Sequence, residues 1–339
     1  MDPVDPDYIP VSGLEVPRFA GIASMMRLPI RTAEAPGGAE IGFLGVPWDS
    51  GTTNRPGARH GPRALRDAST MIRTLNQATR IAPFHTARCA DFGDAQVNLT
   101  DVAQTLGLVE AQIESLRAAG VAPFMLGGDH LLSLPLLRAM GREAPLGMVH
   151  FDAHTDLFDS YFGGVKYTHG TPFRRAVEEG LLDPKRTVQI GIRGTAYDGE
   201  DRAFAKAVGI RIVPIEELRA RGGADVIAEA RDIVGDGPAH LSFDIDAIDP
   251  AMAPGTGTPE IGGLTPYDAQ EMLRLLQGID LRSADLVEVA PPYDPSGTTA
   301  WIGASILFEI LCLLAPAVAR RAGRGSVLCE AIPAPRARA

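Results

Sequence analysis

Three short stretches of this sequence carry side chains able to hold metal ions: Gly127-Gly128-Asp129-His130, Met148-Val149-His150-Phe151-Asp152-Ala153-His154-Thr155-Asp156, and Ser242-Phe243-Asp244-Ile245-Asp246. Carboxylate oxygens and imidazole nitrogens are the donors that manganese, zinc, iron or nickel accept. Each stretch follows or begins in an apolar run, which reads as a buried strand, so the polar residues fall at a strand end. In the second stretch Asp152, His154 and Asp156 alternate, and a period of two puts all three on one side. Taken singly, any of these is an ordinary loop carboxylate or core histidine. Together, Asp129, His130, Asp152, His154, Asp156, Asp244 and Asp246 offer more ligands than one ion needs. Two ions sharing carboxylates, about 3.5–4 Å apart, account for the surplus; such a pair lowers the pKa of a bridging water and holds the hydroxide for attack on carbon or phosphorus.

The elements that must position these residues follow from periodicity. Glu40 to Val46, Val121 to Leu126, Thr187 to Ile192, Ile210 to Val213, His240 to Phe243 and Ala284 to Val289 read as strands. Helices are expected from Gly61-Pro62-Arg63, from Asp101 to Leu116 with its stripe of Val102, Leu106, Val109, Ile113 and Leu116, and over Leu134–Met140, Asp201–Val208, Asp225–Val234 and Thr265–Gln277. Strands alternating with helices predict an α/β fold with a parallel, doubly wound sheet covered on both faces. Ligands bind beyond the carboxyl ends of the strands in such sheets, where the marked residues lie. Residues 1–39, with six prolines from Pro3 to Pro36, read as an extended arm, either a strap over its own domain or a tether to another subunit; 40–322 read as one catalytic domain and 323–339 as a tail.

Composition narrows the partners. A chain of 339 residues with 45% hydrophobic residues can bury a large core, and a formal charge of −10 argues against nucleic acid or an anionic membrane as the main partner. A cationic or neutral small substrate fits better. Cys89, Cys312 and Cys329 lack metal-type spacing and make no disulfide framework, so the cytoplasm is the expected compartment, and the first residues show no export signal. Trp301 to Val318 is apolar enough to suggest a membrane span, but Glu309 near its middle and Pro316 near its end favour a core helix.

The three ligand stretches, read as Gly-Gly-Asp-His at 127–130, His-Phe-Asp-Ala-His-Thr-Asp at 150–156 and Ser-Phe-Asp-Ile-Asp-Ala-Ile-Asp-Pro-Ala at 242–251, resemble the signatures of the ureohydrolases, the arginase and agmatinase family. The resemblance implies a three-layer α/β/α domain and two Mn2+, with Ni2+ as an alternative, that hydrolyse a guanidinium group to urea and an amine. It implies that His130 and Asp156 hold one ion, His154 and Asp246 the other, and that Asp152 and Asp244 bridge. It gives His169 the role of proton shuttle, suited to imidazole near neutral pH. Asp156 would accept a hydrogen bond from the nucleophile. Glu288, an acid on an otherwise apolar strand, would be costly to bury without a partner, and a guanidinium is the partner it awaits.

The substrate tail is less constrained. Leu157-Phe158 stand where arginases place small polar residues, which disfavours arginine. The run from Tyr161 to Arg175 and Gly45 to Asn54 are most similar to bacterial guanidinopropionases and guanidinobutyrases, and Tyr161 would line the tail of a short guanidino acid. Agmatine, guanidine, alkylguanidines and biguanides remain alternatives, as does an inactive scaffold subunit. The resemblance also implies a homotrimer or homohexamer.

Overall fold

Eight apolar stretches form one sheet in which every neighbouring pair is parallel, in the order β2-β1-β3-β8-β7-β4-β5-β6. The strands of this computed structural model, which describes residues 5–330, are β1 (Ile41–Val46), β2 (Cys89–Asp94), β3 (Ala122–Gly127), β4 (Leu146–Phe151), β5 (Leu182–Ile192), β6 (Arg211–Pro214), β7 (Pro238–Asp244) and β8 (Asp280–Val287). The helices are α1 (Gly61–Ser69), α2 (Pro83–Thr86), α3 (Val102–Ala118), α4 (Ser133–Gly141), α5 (Pro172–Glu178), α6 (Glu200–Val208), α7 (Ile215–Arg221), α8 (Gly223–Val234), α9 (Pro266–Leu275) and α10 (Thr298–Arg321).

Alternation along the buried strands sends side chains to two cores. Phe43, Val149, Phe151 and Phe243 pack with residues of α1, α2 and α7 to α10 on one face. Leu44, Val46, Met125 and Met148 pack with α3 to α6 on the other. The result is a three-layer α/β/α domain with a parallel sheet. Strand β2 and helices α2, α5 and α7 lie in stretches without a periodic signal in the sequence.

Helix α10 is the segment apolar enough to cross a membrane, with a mean hydropathy of 2.2, and 83% of its apolar window is buried inside the fold. Glu309 within it is paired with Arg274 and accepts a hydrogen bond from Asn76 Nδ2 at 2.8 Å, which removes the cost of a lone buried charge. It is a core helix of this domain.

In the arm, Met25, Met26 and Leu28 are buried, and Met25 N–H donates to Asp91 Oδ2 at 2.7 Å, so this part straps its own domain. Farther out, Leu14, Phe19 and Ile22 are 98%, 94% and 78% exposed. At the other end, Leu328 bridges to Ile81, and Cys329 N–H donates to Arg80 O at 2.9 Å. Residues 1–4 of the expected arm and 331–339 of the expected tail lie outside the described residues.

Candidate active site

The register levels four central strand ends. Phe151 pairs with Phe243, Asp244 with Val287, and Leu126 with Leu286, so the chain leaves β3, β8, β7 and β4 at one height. His130 enters a short 3₁₀ turn (His130–Leu132) at once, because Gly128 lets the backbone press against the end of β1 and the turn after it; a Cβ there would lie 1.8 Å from Trp48 O and 2.8 Å from Val46 O. Asp246 sits in a similar turn (Ile245–Ala247), held by its own N–H donating to Asp244 Oδ1 at 2.8 Å.

Two expectations need correction here. Strand β4 stops at Phe151, so Asp152, His154 and Asp156 converge through an irregular turn, with Asp156 at φ 53°, and not through strand alternation. Strand β8 stops at Val287, and Glu288, at φ 64°, is the residue that turns out of the sheet. Both φ values are in the left-handed region that non-glycine residues rarely adopt, and strain of this kind gathers at functional sites.

The ligand geometry centres on His130. Its Nδ1 lies 3.1 Å from Asp152 Oδ2, 3.0 Å from Asp156 Oδ2 and 3.1 Å from Asp244 Oδ2. This nitrogen is buried and has no hydrogen-bond partner. A bare ring nitrogen among three carboxylate oxygens is the arrangement a divalent cation would complete. On the other side His154 Nδ1 lies 3.1 Å from Asp246 Oδ2 and 3.4 Å from Asp152 Oδ1, so the two oxygens of Asp152 face the two halves of the site. The donor set fits a pair of cations sharing a carboxylate.

Electrostatics agree with that fit. Burial, then the charges of Asp246 and Asp152, push Asp244 well above the usual carboxylate range, and burial and Asp152 raise Asp246. Burial disfavours a charged Asp152, but His150, His130 and His154 hold it well below its usual value. Burial also opposes charging His130 and His154, yet the surrounding carboxylates raise both. The cluster draws in positive charge.

Asp129 does not join it. Its oxygens accept from Leu131 N–H at 3.1 Å and Gly51 N–H at 2.8 Å, which ties the turn to the loop after β1.

Glu288 and His169 meet beside the ligands. Glu288 Oε1 accepts from His169 Nδ1 at 2.9 Å and from the backbone N–H of His130 at 3.0 Å, while Oε2 is buried without a partner. His169 Nε2 lies 2.7 Å from Thr53 Oγ1, which accepts from it when the ring is protonated, while Nδ1–H faces Glu288. Burial works against a charged His169, but hydrogen bonding to Glu288 and its charge push the imidazole up to about 9. The Thr53 contact was not evident from the sequence beyond its place in a Gly-Thr-Thr-Asn loop after a strand.

Tyr161 lies against the His169 loop. Its hydroxyl lies 2.7 Å from where a Cβ on Gly170 would stand, so the ring rests on the residue after His169. Phe158 and Tyr197 flank it with ring centroids at 5.5 and 6.4 Å. Burial, then the charge of Asp156, raises its hydroxyl pKa. Leu157 is wholly buried in the core, and of that pair Phe158 is the one that packs on Tyr161.

Under the candidate ligands lies a further row of polar residues. Gln189, His150, Ser242 and Asp285 pair in register across β5, β4, β7 and β8. Ser242 donates to Asp285 Oδ1 at 2.6 Å and so accepts from His130 Nε2 at 2.9 Å, so that the neutral ring carries its proton on Nε2 and turns the lone pair of Nδ1 to the carboxylates. Ser133 Oγ and His240 Nε2 satisfy Asp285 Oδ2 at 2.6 and 3.2 Å.

A parallel α/β/α sheet with a two-cation site over its central strand ends defines a class, and the comparison with known proteins agrees: the arginase family model matches residues 39–313, and the chain belongs to that family of metal-dependent amidinohydrolases. Among its relatives, the guanidinopropionase of Pseudomonas aeruginosa is 56% identical over 92% of this chain and 98% of its own length, and the guanidinobutyrase of the same organism is 49% identical over the same shares. The solved structure of proclavaminate amidino hydrolase from Streptomyces clavuligerus superposes with a TM-score of 0.84 at 37% identity, covering 89% of this chain and 99% of that one.

Proposed function

We propose that this protein hydrolyses a short guanidino acid, 3-guanidinopropionate or 4-guanidinobutyrate, to urea and the corresponding amino acid. The observation that carries the reading is the buried, unpartnered Oε2 of Glu288 beside the ligand cluster. A carboxylate oxygen desolvated in that way calls for a charged donor, and a planar guanidinium supplies it. His130, Asp152, His154, Asp156, Asp244 and Asp246 would hold two Mn2+, with Ni2+ the alternative; the ions supply Lewis acidity that brings the pKa of water toward neutrality.

The residues of the chain do the rest. Glu288 orients the guanidinium so that its carbon faces the ligand cluster. Asp156 accepts a hydrogen bond from the attacking water. His169, kept protonated by Glu288, delivers its Nδ1 proton to the amine nitrogen as the carbon–nitrogen bond breaks. Tyr161, Phe158 and Tyr197 bound the tail, and the bulk of Tyr161 favours the shorter acid. One feature supports agmatine as a second reading: Asp201 Oδ1 is buried without a partner and the charge of Asp201 reaches Tyr161, a place an ammonium tail could use.

The apolar side chains of Leu14, Phe19 and Ile22 on the arm support a homo-oligomer, a trimer or hexamer, and three unpaired cysteines support a cytoplasmic enzyme. Replacement of His154 by alanine tests the enzyme reading: urea release should disappear while the circular dichroism spectrum stays native. Retained urea release would refute it.

A further inference from the structure

His150 is a fully buried histidine that the ligand set does not use, although its ring stands among the ligands. Its Nε2 lies 2.8 Å from Asp152 Oδ2, and its Nδ1 lies 3.0 Å from Gln189 Nε2. The orientation of that amide is fixed, because the same Nε2 donates to the carbonyl of Thr155 at 2.6 Å. Gln189 is therefore a donor to His150 Nδ1, and the imidazole proton must sit on Nε2, facing Asp152. A nitrogen carrying a proton cannot bind a cation. His150 is thus no ligand, despite its place among His130 and Asp152.

Asp152 is held at both of its oxygens. Its Oδ1 accepts from His154 N–H at 2.6 Å and its Oδ2 from His150 Nε2 at 2.8 Å. Each oxygen accepts one strong hydrogen bond from the protein and keeps a lone pair for the site. A carboxylate held in this way at both oxygens cannot swing to chelate one ion with both.

We propose that His150, locked in one tautomer by Gln189, is the positioning residue that keeps Asp152 in the bridging geometry and so sets the affinity for the second cation. This rests on the two-cation reading above. Residues behind a metal ligand typically change affinity about 10–100-fold when lost.

The test is manganese binding by the full chain, followed by metal analysis and indicator titration, with far-ultraviolet circular dichroism as the check on folding. Wild type should bind two ions, and failure to do so would overturn the two-cation reading and this inference with it. His150→Met keeps the volume without the donor and should weaken one of the ions about 10–100-fold. His150→Gln returns an N–H near the position of Nε2 and should restore most of that affinity. Gln189→Leu, which removes the tautomer lock and leaves the ring, should weaken the same ion less, and it decides the matter if His150→Met fails to fold. Unchanged binding in His150→Met and Gln189→Leu would overturn the proposal. So would an equal loss in His150→Gln and His150→Met, which would make His150 a ligand or a packing residue.

Discussion

His169 and Glu288, 119 positions apart in the chain, share a hydrogen bond of 2.9 Å that joins the loop before α5 to the turn after β8. One carboxylate oxygen is thereby occupied and the other is left free, so the acid is both fixed and aimed. Replacing Glu288 by glutamine keeps the shape and removes the charge. Breaking a buried charge pair costs roughly 3–5 kcal/mol, so kcat/KM for urea release should fall about 10²–10³-fold or more. A fall of less than tenfold, with the melting temperature unchanged, would show that the guanidinium is held elsewhere.

The same contact sets a pH dependence. The His169 imidazole is raised to about 9 in the folded chain, against about 6.5 when unfolded. Its stabilising effect is therefore fully present below pH 6.5 and is lost as pH rises through 9. In protein stripped of metal, the melting-temperature gap between wild type and His169→Asn should be widest near pH 6 and close by about pH 10. Bound cations oppose protonation, so the loaded protein should lose the gap at lower pH. A gap that does not vary with pH would refute the pairing.

Metal binding should expel protons. Burial and mutual repulsion raise Asp244 and Asp246, and carboxylates raise His130 and His154, so the stripped cluster holds protons near neutrality. Adding Mn2+ in weak buffer should release about one proton or more per chain. A raised acid penalises the folded state above its folded pKa, and a raised histidine loses its stabilisation as pH rises, so both effects have one sign. Chelation should thus lower the melting temperature more at pH 8 than at pH 6; the opposite trend would contradict the cluster's assignment.

Tail selectivity should follow Tyr161. Its ring rests on Gly170 beside His169, and a smaller, flexible side chain would open that end of the site. One methylene in such a pocket is worth about 1–3 kcal/mol. Tyr161→Met should shift the ratio of kcat/KM for 4-guanidinobutyrate over 3-guanidinopropionate upward by roughly 10–200-fold. An unchanged ratio would remove Tyr161 from the specificity wall.

The candidate metal-binding residues are legible in the sequence because each set follows an apolar run within a few residues. Contacts made across the sheet were not. Glu288 was visible as an acid in an apolar run, but nothing local shows that the strand stops one residue earlier and turns through a positive φ. Strand β2, Cys-Ala-Asp-Phe-Gly-Asp, looks like a loop; Asp91 is tolerated because Arg66 Nε and Met25 N–H, far away in sequence, bind it at 2.8 and 2.7 Å. His150, Gln189, Ser242 and Asp285 could have been found by the reasoning applied to Glu288, since polar side chains in a sheet buried on both faces need partners. Their partners depend on strand order, which alternation alone does not supply.

Cleavage of a guanidinium carbon–nitrogen bond over this site is the reaction that everything above turns on. It is tested most directly by measuring urea and amine released by the Mn2+-loaded full chain from 3-guanidinopropionate, 4-guanidinobutyrate, agmatine, arginine and guanidine. The expected result is equal amounts of urea and amino acid, with a short guanidino acid first and arginine last. Agmatine in first place would move the tail assignment to Asp201; no urea from any of the five, with two metal ions bound, would contradict the account.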